Sequence, residues 1–317
     1  MDYILNLVLL IGGFFLLVKG ADLFVDGSSS VAKIFKIPSV IIGLTIVSIG
    51  TSLPEAAVSI TSSLQGSYDL SIANVIGSNI FNLLVVVGAS ALICPFVVDK
   101  MIMKRDFPIC IGITVLLAIM LRDNILSRGE AGVLFAIFIA YIIILVMSAL
   151  KNPLAADEDD KPMSVPRSLL FILLGGAGII LGGTFTVDSA KFFASAFGMS
   201  EMLIGLTVVA VGTSLPELVT SIVAAKKGES EIALGNVVGS CIFNIMFILG
   251  MSGLVHPLNC GVEALIDVVI LILINILMYI VCITGKKINR PEGLVCVVIY
   301  VIYVAYTVLR AFEMLPF

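Results

Sequence analysis

Long runs of apolar residues, separated by short clusters of charged and turn residues, dominate this chain. Dividing it at those clusters leaves ten apolar segments, near residues 4–25, 39–64, 70–93, 107–121, 129–149, 167–190, 202–225, 231–254, 262–283 and 293–312. A helix needs about 20 mostly apolar residues to cross a bilayer, and these runs lack the alternating pattern of a transmembrane barrel. The pattern therefore predicts an all-α, polytopic membrane protein with about ten transmembrane helices.

The composition agrees with this prediction. Of the 317 residues, 60% are hydrophobic and 13% are charged, and the mean hydropathy is +1.19. Soluble domains carry roughly 45–50% apolar and about 25% charged residues. We therefore expect the lipid bilayer as the surrounding medium and no nucleic acid as a partner. The six cysteines show no CxxC or Cys/His metal spacing, and the single histidine, His256, is expected at the surface.

Lysine and arginine are distributed unevenly between alternate loops. If the N-terminus lies outside, fourteen of the eighteen basic residues fall on or near the cytoplasmic side: Lys19, Lys33, Lys36, Lys100, Lys104, Arg105, Lys151, Lys161, Arg167, Lys226, Lys227, Lys286, Lys287 and Arg290. Because cytoplasmic loops carry the excess of positive charge, we predict that both termini are extracellular or periplasmic. No organelle-targeting segment is recognisable, so we expect a cell (plasma or inner) membrane location.

The sequence contains an internal repeat at an offset of 162 residues. Residues 43–60, GLTIVSIGTSLPEAAVSI, align with residues 205–222, GLTVVAVGTSLPELVTSI, with twelve identities in eighteen positions. The same offset aligns ANVIGSNIFN (73–82) with GNVVGSCIFN (235–244) without a gap. The two halves are therefore duplicates.

Each half contains five predicted helices, and an odd number makes the second copy enter the membrane from the opposite side. We therefore predict an inverted repeat, with residues 1–150 as the first five-helix unit, 151–166 as a short acidic cytoplasmic linker and 167–317 as the second unit. The acidic run 157–160 in the linker is expected to be solvated. Inverted repeats in transporters place the substrate site near the bilayer midplane, where the halves meet.

An acidic residue follows a proline within an apolar segment in both halves. The residues are Glu55 and Glu217, each in the motif GTSLPE. A buried ionised carboxylate in lipid costs at least about 2.5–3.5 kcal/mol, so both are candidates for function. Other oxygen-bearing side chains lie on or near the same faces at helical spacing. These are Ser48, Thr51, Ser52, Ser59, Asn74, Ser78 and Asn82 in the first half, and Thr213, Ser214, Ser221, Asn236, Ser240 and Asn244 in the second, where Ala210 replaces Ser48.

Pro54 and Pro216 add backbone oxygens to this set. A proline has no N–H and clashes with the carbonyl four residues earlier, so the carbonyls of Gly50 and Gly212 lose their helical partners. In lipid such carbonyls need another partner, and a cation is a suitable one. Two carboxylates with hydroxyl, amide and carbonyl oxygens suit hard cations such as Ca²⁺ and Na⁺, whereas zinc or copper normally recruits histidine or cysteine.

Structural explanations remain open for some of these residues. Small residues at spacings of four allow close helix packing, so Ser78 and Ser240 could pack, ligate a cation or do both. Asn74 and Asn236 could simply bridge helices. No helix-packing role calls for an acid beside a proline in both halves, which favours a functional role for the two glutamates.

These motifs resemble the two α-repeats of the sodium/calcium exchangers, a family within the cation/calcium exchanger superfamily. The resemblance rests on GTSLPEAAVS with GSNIFN and on GTSLPELVTS with GSCIFN, and it extends over the whole chain. The proton/calcium branch typically has a GN-x-x-E sequence at this place, so the sodium-linked branch fits better. The resemblance implies antiport of about three Na⁺ for one Ca²⁺ by alternating access, with the first and sixth helices sliding across a central bundle.

The resemblance also implies the ion ligands. They are Thr51, Ser52, Glu55, Ser78 and Asn82 from the first repeat, and Thr213, Ser214, Glu217, Ser240 and Asn244 from the second, with backbone carbonyls near Ser48 and Ala210. Potassium-dependent members have aspartate at the position of Asn244, so the asparagine disfavours K⁺ co-transport. The two glutamates give the site a charge of −2. One bound Ca²⁺ brings the net charge of the site to zero, and three bound Na⁺ bring it to +1. Exchange at that ratio would move one net charge per cycle.

Three other functions are compatible with parts of this pattern. A transporter of the same fold could use H⁺ or another divalent ion such as Mn²⁺ or Mg²⁺. An ion channel is possible, although charged, dehydrating ligands suit occlusion better than fast conduction. An intramembrane hydrolase needs a base beside its nucleophile, and no histidine or lysine lies near the polar stripes. We expect a transporter and not an enzyme, with Ca²⁺ and Na⁺ as substrates, no cofactor, and a monomer as the functional unit.

Overall fold

The computed structural model describes residues 2–151, 162–199, 208, 210–285 and 287–311. The acidic run 157–160 and the first part of the predicted segment 202–225 lie outside these ranges. The longer described helices are α1 (Asp2–Phe35), α2 (Ser39–Thr51), α3 (Leu53–Leu64), α4 (Tyr68–Ile93), α5 (Phe107–Met120), α6 (Arg128–Lys151), α7 (Val165–Ala196), α8 (Leu215–Lys226), α9 (Ser230–Val255), α10 (Val262–Gly285) and α11 (Arg290–Ala311). Shorter turns lie at Ile102–Asp106, Leu121–Asp123 and Ala210–Thr213.

Seven helices in the described part of the chain are long and apolar enough to cross a membrane, or eight when the bent pair α2 and α3 counts as one span. These helices confirm an all-α polytopic membrane protein. Two of the ten predicted segments are not among them: α5 has only 14 residues, and the start of segment 202–225 lies outside the described ranges. The count of ten stays a prediction.

The helix α1 extends well beyond its predicted apolar segment of 4–25. It continues to Phe35, through a stretch that contains several serines and a lysine. The serines of this stretch are buried against protein: the backbone N–H of Met163 donates to Ser30 Oγ over 2.9 Å, and Ser29 Oγ donates to Glu229. Hydropathy alone therefore placed the end of this helix too early.

The helices α1 and α7 pack along each other through glycines. A Cβ at Gly20 would lie 2.7 Å from the backbone nitrogen of Ile179, and one at Gly175 would lie 2.5 Å from that of Phe24. Only residues without a side chain allow two backbones to approach this closely, which is a common way to pair helices in a membrane.

Two short antiparallel strand pairs join loops from the two halves. The strand β1 (Phe96–Val97) pairs with β4 (Lys287–Ile288), and β2 (Ile125–Leu126) pairs with β3 (Leu258–Asn259). The repeat offset relates the two pairs: adding 162 to the residue numbers of β1 gives β3, and adding 162 to those of β2 gives β4. Each bonded residue pair of one ladder thereby corresponds to a bonded pair of the other. The loop after the third predicted helix of one half thus meets the loop after the fourth predicted helix of the other, as repeats of opposite orientation require.

The helices α4 and α9 form the centre of the described bundle. The most apolar stretch of α9 is 94% buried and that of α4 is 72% buried, whereas the corresponding stretches of the other five long spans are 11–39% buried. These two helices carry the repeated motifs ANVIGSNIFN and GNVVGSCIFN. The second repeated motif of each half therefore lies mostly buried within the protein.

Candidate cation site

The helical path breaks at the GTSLPE motif. α2 ends at Thr51, α3 begins at Leu53, and the two segments are bent by 50°. Pro54 occupies the second position of α3. The N–H groups of a first helical turn have no acceptor within the helix, so a proline there loses no hydrogen bond. Pro216 occupies the same place in α8. In each half the proline therefore lies in the first turn of the helix that begins after the break, and the glutamate follows it.

Glu55 and Glu217 stand in the first turns of α3 and α8, and both are fully buried, with 0% exposure. The free N–H groups of a first helical turn carry partial positive charge, which stabilises a nearby carboxylate. The helix break thus supplies part of the compensation that a buried acid needs in a membrane.

Ser52 and Ser214 connect the two halves at these glutamates. Each serine stands at the N-cap position, yet its hydroxyl makes no capping bond to its own helix. Instead Ser52 Oγ donates to Glu217 Oε1 over 2.7 Å, and Ser214 Oγ donates to Glu55 Oε1 over 3.0 Å. The second oxygen of each glutamate, Oε2, has no hydrogen-bond partner among the described residues. The two predicted acids therefore lie in one buried cluster, each with an oxygen available.

Asn74 and Asn236 bridge helices, which was one of the two explanations left open. Asn74 Nδ2 donates to Ser59 Oγ over 2.9 Å and to the carbonyl of Glu55 over 3.3 Å. The counterpart bonds of Asn236 measure 2.9 and 3.4 Å. These bonds fasten the backbone at each glutamate to the central helices.

The residues on the α2 side of the break are also buried and hydrogen-bonded. Thr51 Oγ1 lies 3.0 Å from Asn236 Oδ1. The carbonyl of Ser48 accepts the backbone N–H of Ser52 over 3.0 Å and lies 3.5 Å from Ser240 Oγ. This carbonyl thus lies at the contact between α2 and α9. For Ala210, at the corresponding place in the second half, the described structure gives only a helical backbone.

Asn82 and Asn244 each begin a π-helical turn, at Asn82–Val86 and Asn244–Leu249. Such turns recur at functional sites. Asn244 Nδ2 donates to Asn79 Oδ1 over 3.0 Å, and Asn244 Oδ1 has no partner in the described ranges. Asn82 has no described partner at either amide atom. Asn79 was not among the predicted site residues, although the two motifs differ at this position, GSN in the first and GSC in the second.

All ten predicted side-chain ligands are buried. They are Thr51, Ser52, Glu55, Ser78, Asn82, Thr213, Ser214, Glu217, Ser240 and Asn244. Within the described ranges, no group of three or more His, Cys, Asp or Glu side chains could hold a metal ion. The oxygen-bearing side chains that lie buried here are two carboxylates, hydroxyls and carboxamides, which is the chemistry that hard cations prefer.

Comparison with known proteins gives a consistent result. The sodium/calcium exchanger protein family matches residues 5–147 and 167–309, two stretches that begin and end 162 residues apart. The inner membrane protein YrbG of Escherichia coli is 37% identical over 291 residues, covering 88% of this chain and 89% of YrbG. The sodium/calcium exchanger MaX1 of Methanosarcina acetivorans is 35% identical over 339 residues, covering 94% and 97%.

Among solved structures, the sodium-calcium exchanger NCX_Mj, soaked with 10 mM Na⁺ and 10 mM Sr²⁺, superposes with a TM-score of 0.84 at 34% identity. The match covers 95% of this chain and 98% of that one. Since the family matches both halves and the similarity extends over nearly the whole chain, the protein belongs to the sodium/calcium exchanger family.

Proposed function

We propose that this protein is a secondary active antiporter that exchanges Na⁺ for Ca²⁺ by alternating access at the buried site between the two repeats. The observation that carries the proposal is the crossed pair of hydrogen bonds from Ser52 and Ser214 to the glutamates of the opposite halves. It brings two buried carboxylates together, each with an unpartnered oxygen in the described structure. A divalent cation balances two such charges, and monovalent cations compete for the same oxygens.

The ligands in this proposal are the ten buried side chains of the two repeated motifs, with backbone carbonyls near Ser48 and Ala210. Their support is their common burial, their oxygen donors and their position at the helix breaks and π-helical turns. Ca²⁺ and Na⁺ are the substrates of this site. Asn244 keeps the count of central carboxylates at two.

The charge of the site suggests the stoichiometry. Two glutamates bind one Ca²⁺ with no net charge, whereas three Na⁺ leave a charge of +1. Exchange at about 3:1 would therefore be electrogenic, and each 100 mV of membrane potential would bias it by about 2.3 kcal/mol per cycle.

We further propose the organisation that the repeat predicts, with units 1–150 and 167–317 joined by the linker 151–166. Two observations support this organisation: each strand pair joins a strand of the first unit to a strand of the second, and the 162-residue offset relates the two pairs. Lys33, Arg167 and Lys227 line one cavity of about 640 Å³, which groups three residues predicted to be cytoplasmic. We place both termini outside the cell membrane, in a protein that works as a monomer.

The test is flux in proteoliposomes loaded with Na⁺ and diluted into Na⁺-free medium. We expect rapid ⁴⁵Ca²⁺ uptake that requires the Na⁺ gradient and responds to a clamped membrane potential. Glu55→Gln and Glu217→Gln should abolish it, because a site with one carboxylate no longer balances Ca²⁺. Glu263→Gln, which changes an exposed acid, should leave it intact.

Two results would contradict the proposal. If Glu55→Gln or Glu217→Gln still transports Ca²⁺, the substituted glutamate is not an essential ligand of the site. Uptake that persists when Na⁺ is replaced by an impermeant cation, at fixed pH on both sides, would show coupling to another ion.

A further inference from the structure

Asn79 of the first repeat lies against Asn244 of the second. Asn244 Nδ2 donates to Asn79 Oδ1 over 3.0 Å. Asn79 Nδ2 in turn donates to the backbone carbonyl of Cys241 over 3.1 Å. All three residues are at most 1% exposed, so water does not replace these bonds.

This short chain of bonds determines which way the carboxamide of Asn244 faces. The carbonyl of Cys241 can only accept a hydrogen bond, so the amide nitrogen of Asn79 must point toward it. The oxygen of Asn79 then points toward Asn244, and only the nitrogen of Asn244 can meet it. The oxygen of Asn244 is left on the other side, where it has no hydrogen-bond partner among the described residues.

The free oxygen of Asn244 belongs to the face of α9 that carries the site. Ser240 lies one turn earlier on that helix, and its hydroxyl lies 3.5 Å from the carbonyl of Ser48 at the break in the first half. Residues four apart share one face of a helix. A reversed carboxamide would present two N–H groups on this face in place of an oxygen, and N–H groups repel a cation.

We propose that Asn79 is a positioning residue that orients the carboxamide of Asn244 so that its oxygen faces the transported cation. This inference rests on the proposed function of the site. Residues that orient the ligands of a metal ion typically change its affinity by about 10- to 100-fold when they are removed.

The two halves differ at this point. The 162-residue offset places Cys241 at the position of Asn79 and Asn82 at the position of Asn244. A thiol offers no strong amide partner, and in the described structure neither amide atom of Asn82 has one. Among the described residues, Asn244 has a side-chain partner that orients its carboxamide and Asn82 has none. The two repeats therefore differ in how this side chain is held.

The orientation also selects the residue type at position 244. A carboxylate there would set an acceptor against the oxygen of Asn79, with no hydrogen between them. An amide at position 244 satisfies the same contact. Asn79 therefore favours the neutral side chain that keeps the site at two carboxylates.

The test is a double-mutant cycle read as the external Ca²⁺ concentration that gives half-maximal Na⁺-driven ⁴⁵Ca²⁺ uptake. Asn79→Ala should raise this concentration on the order of 10-fold, with maximal uptake changed by less than about 2-fold. In an Asn244→Ala background the same change should have less than about a 2-fold effect, because its target is gone. Asn79→Ser, a smaller perturbation that also breaks the chain of bonds, should repeat the pattern if the alanine variant does not fold.

Asn275→Ala is the matched control, because Asn275 is another buried asparagine and its amide donates to the carbonyl of Leu271 on its own helix. It should not change half-saturation in either background. Equal effects of the Asn79 variants with and without Asn244 would overturn the positioning role, since simple loss of packing is additive. Wild-type protein without Na⁺-driven uptake would instead refute the proposed function itself.

Discussion

Ser52 donates a 2.7 Å hydrogen bond to Glu217, a residue 165 positions away in the other half of the chain. The reciprocal bond runs from Ser214 to Glu55 over 3.0 Å. Each half therefore stabilises the acid of the other at the point where its own helix breaks. A substitution at one helix break therefore alters the hydrogen bonding of the glutamate in the opposite repeat.

The first prediction concerns Ser52→Ala. A hydrogen bond to a charged group contributes about 1.5–3 kcal/mol, so its loss should raise the half-saturating Ca²⁺ concentration by about 10- to 150-fold. The measurement is Na⁺-driven ⁴⁵Ca²⁺ uptake over a range of external Ca²⁺. Ser63→Ala is the control, because the hydroxyl of Ser63 donates to the neutral carbonyl of Ser252 over 2.8 Å. An unchanged Ca²⁺ dependence in Ser52→Ala would contradict the role of this bond.

The second prediction concerns Pro54→Ala. Alanine restores an N–H at the second position of α3 and favours a continuous helix through Ser52. We expect uptake to fall by about 10- to 100-fold because the site is misplaced, while the melting temperature in detergent stays equal or rises. A variant that transports normally would show that the break does not depend on the proline.

The third prediction compares two glycines of α1. A Cβ at Gly20 meets the backbone of α7 at 2.7 Å, whereas one at Gly12 meets nothing within 4 Å. Gly20→Ala should destabilise the protein by about 1–3 kcal/mol through overpacking. Gly12→Ala should be neutral or stabilising by up to about 1 kcal/mol, from helix propensity. Thermal unfolding in detergent measures both, and equal melting temperatures would argue against close contact of α1 with α7.

The fourth prediction concerns Lys227, whose ammonium group lies 2.7 Å from Asp26 and 3.0 Å from Asp22 on α1. All three side chains are partly exposed, so Lys227→Ala should cost no more than about 1 kcal/mol. The difference from wild type should shrink at high salt, because exposed charges are screened. Lys226→Ala serves as the neighbouring control. A larger loss that is insensitive to salt would indicate a buried network instead.

Local periodicity was sufficient to place several features of the site. The spacing of Ser52, Glu55 and Ser59 put them on or near one face. The odd number of predicted helices per half predicts an inverted arrangement, and the strand pairs, which the 162-residue offset relates, are consistent with it. Both rest on the geometry of a single helix and on the duplication. Neither depends on which helices become neighbours.

The sequence could not show which side chains meet across the halves. The contact of Ser52 with Glu217 depends on two broken helices facing each other, and that of Asn79 with Asn244 involves a position where the repeats differ. The end of α1 was also misplaced, because its last turns are polar yet pack against protein. Hydropathy reports the preference for lipid and is silent about such contacts.

The register of the strand pairs carries one more consequence. Each short strand of one half is bonded to a strand of the other half, and the offset that relates the halves also relates the two pairs. A single half on its own would leave both of its strands without partners, and a second copy inserted upside down would complete them. The pairing in this chain therefore has the pattern expected of an antiparallel homodimer, which agrees with the predicted division into two joined units.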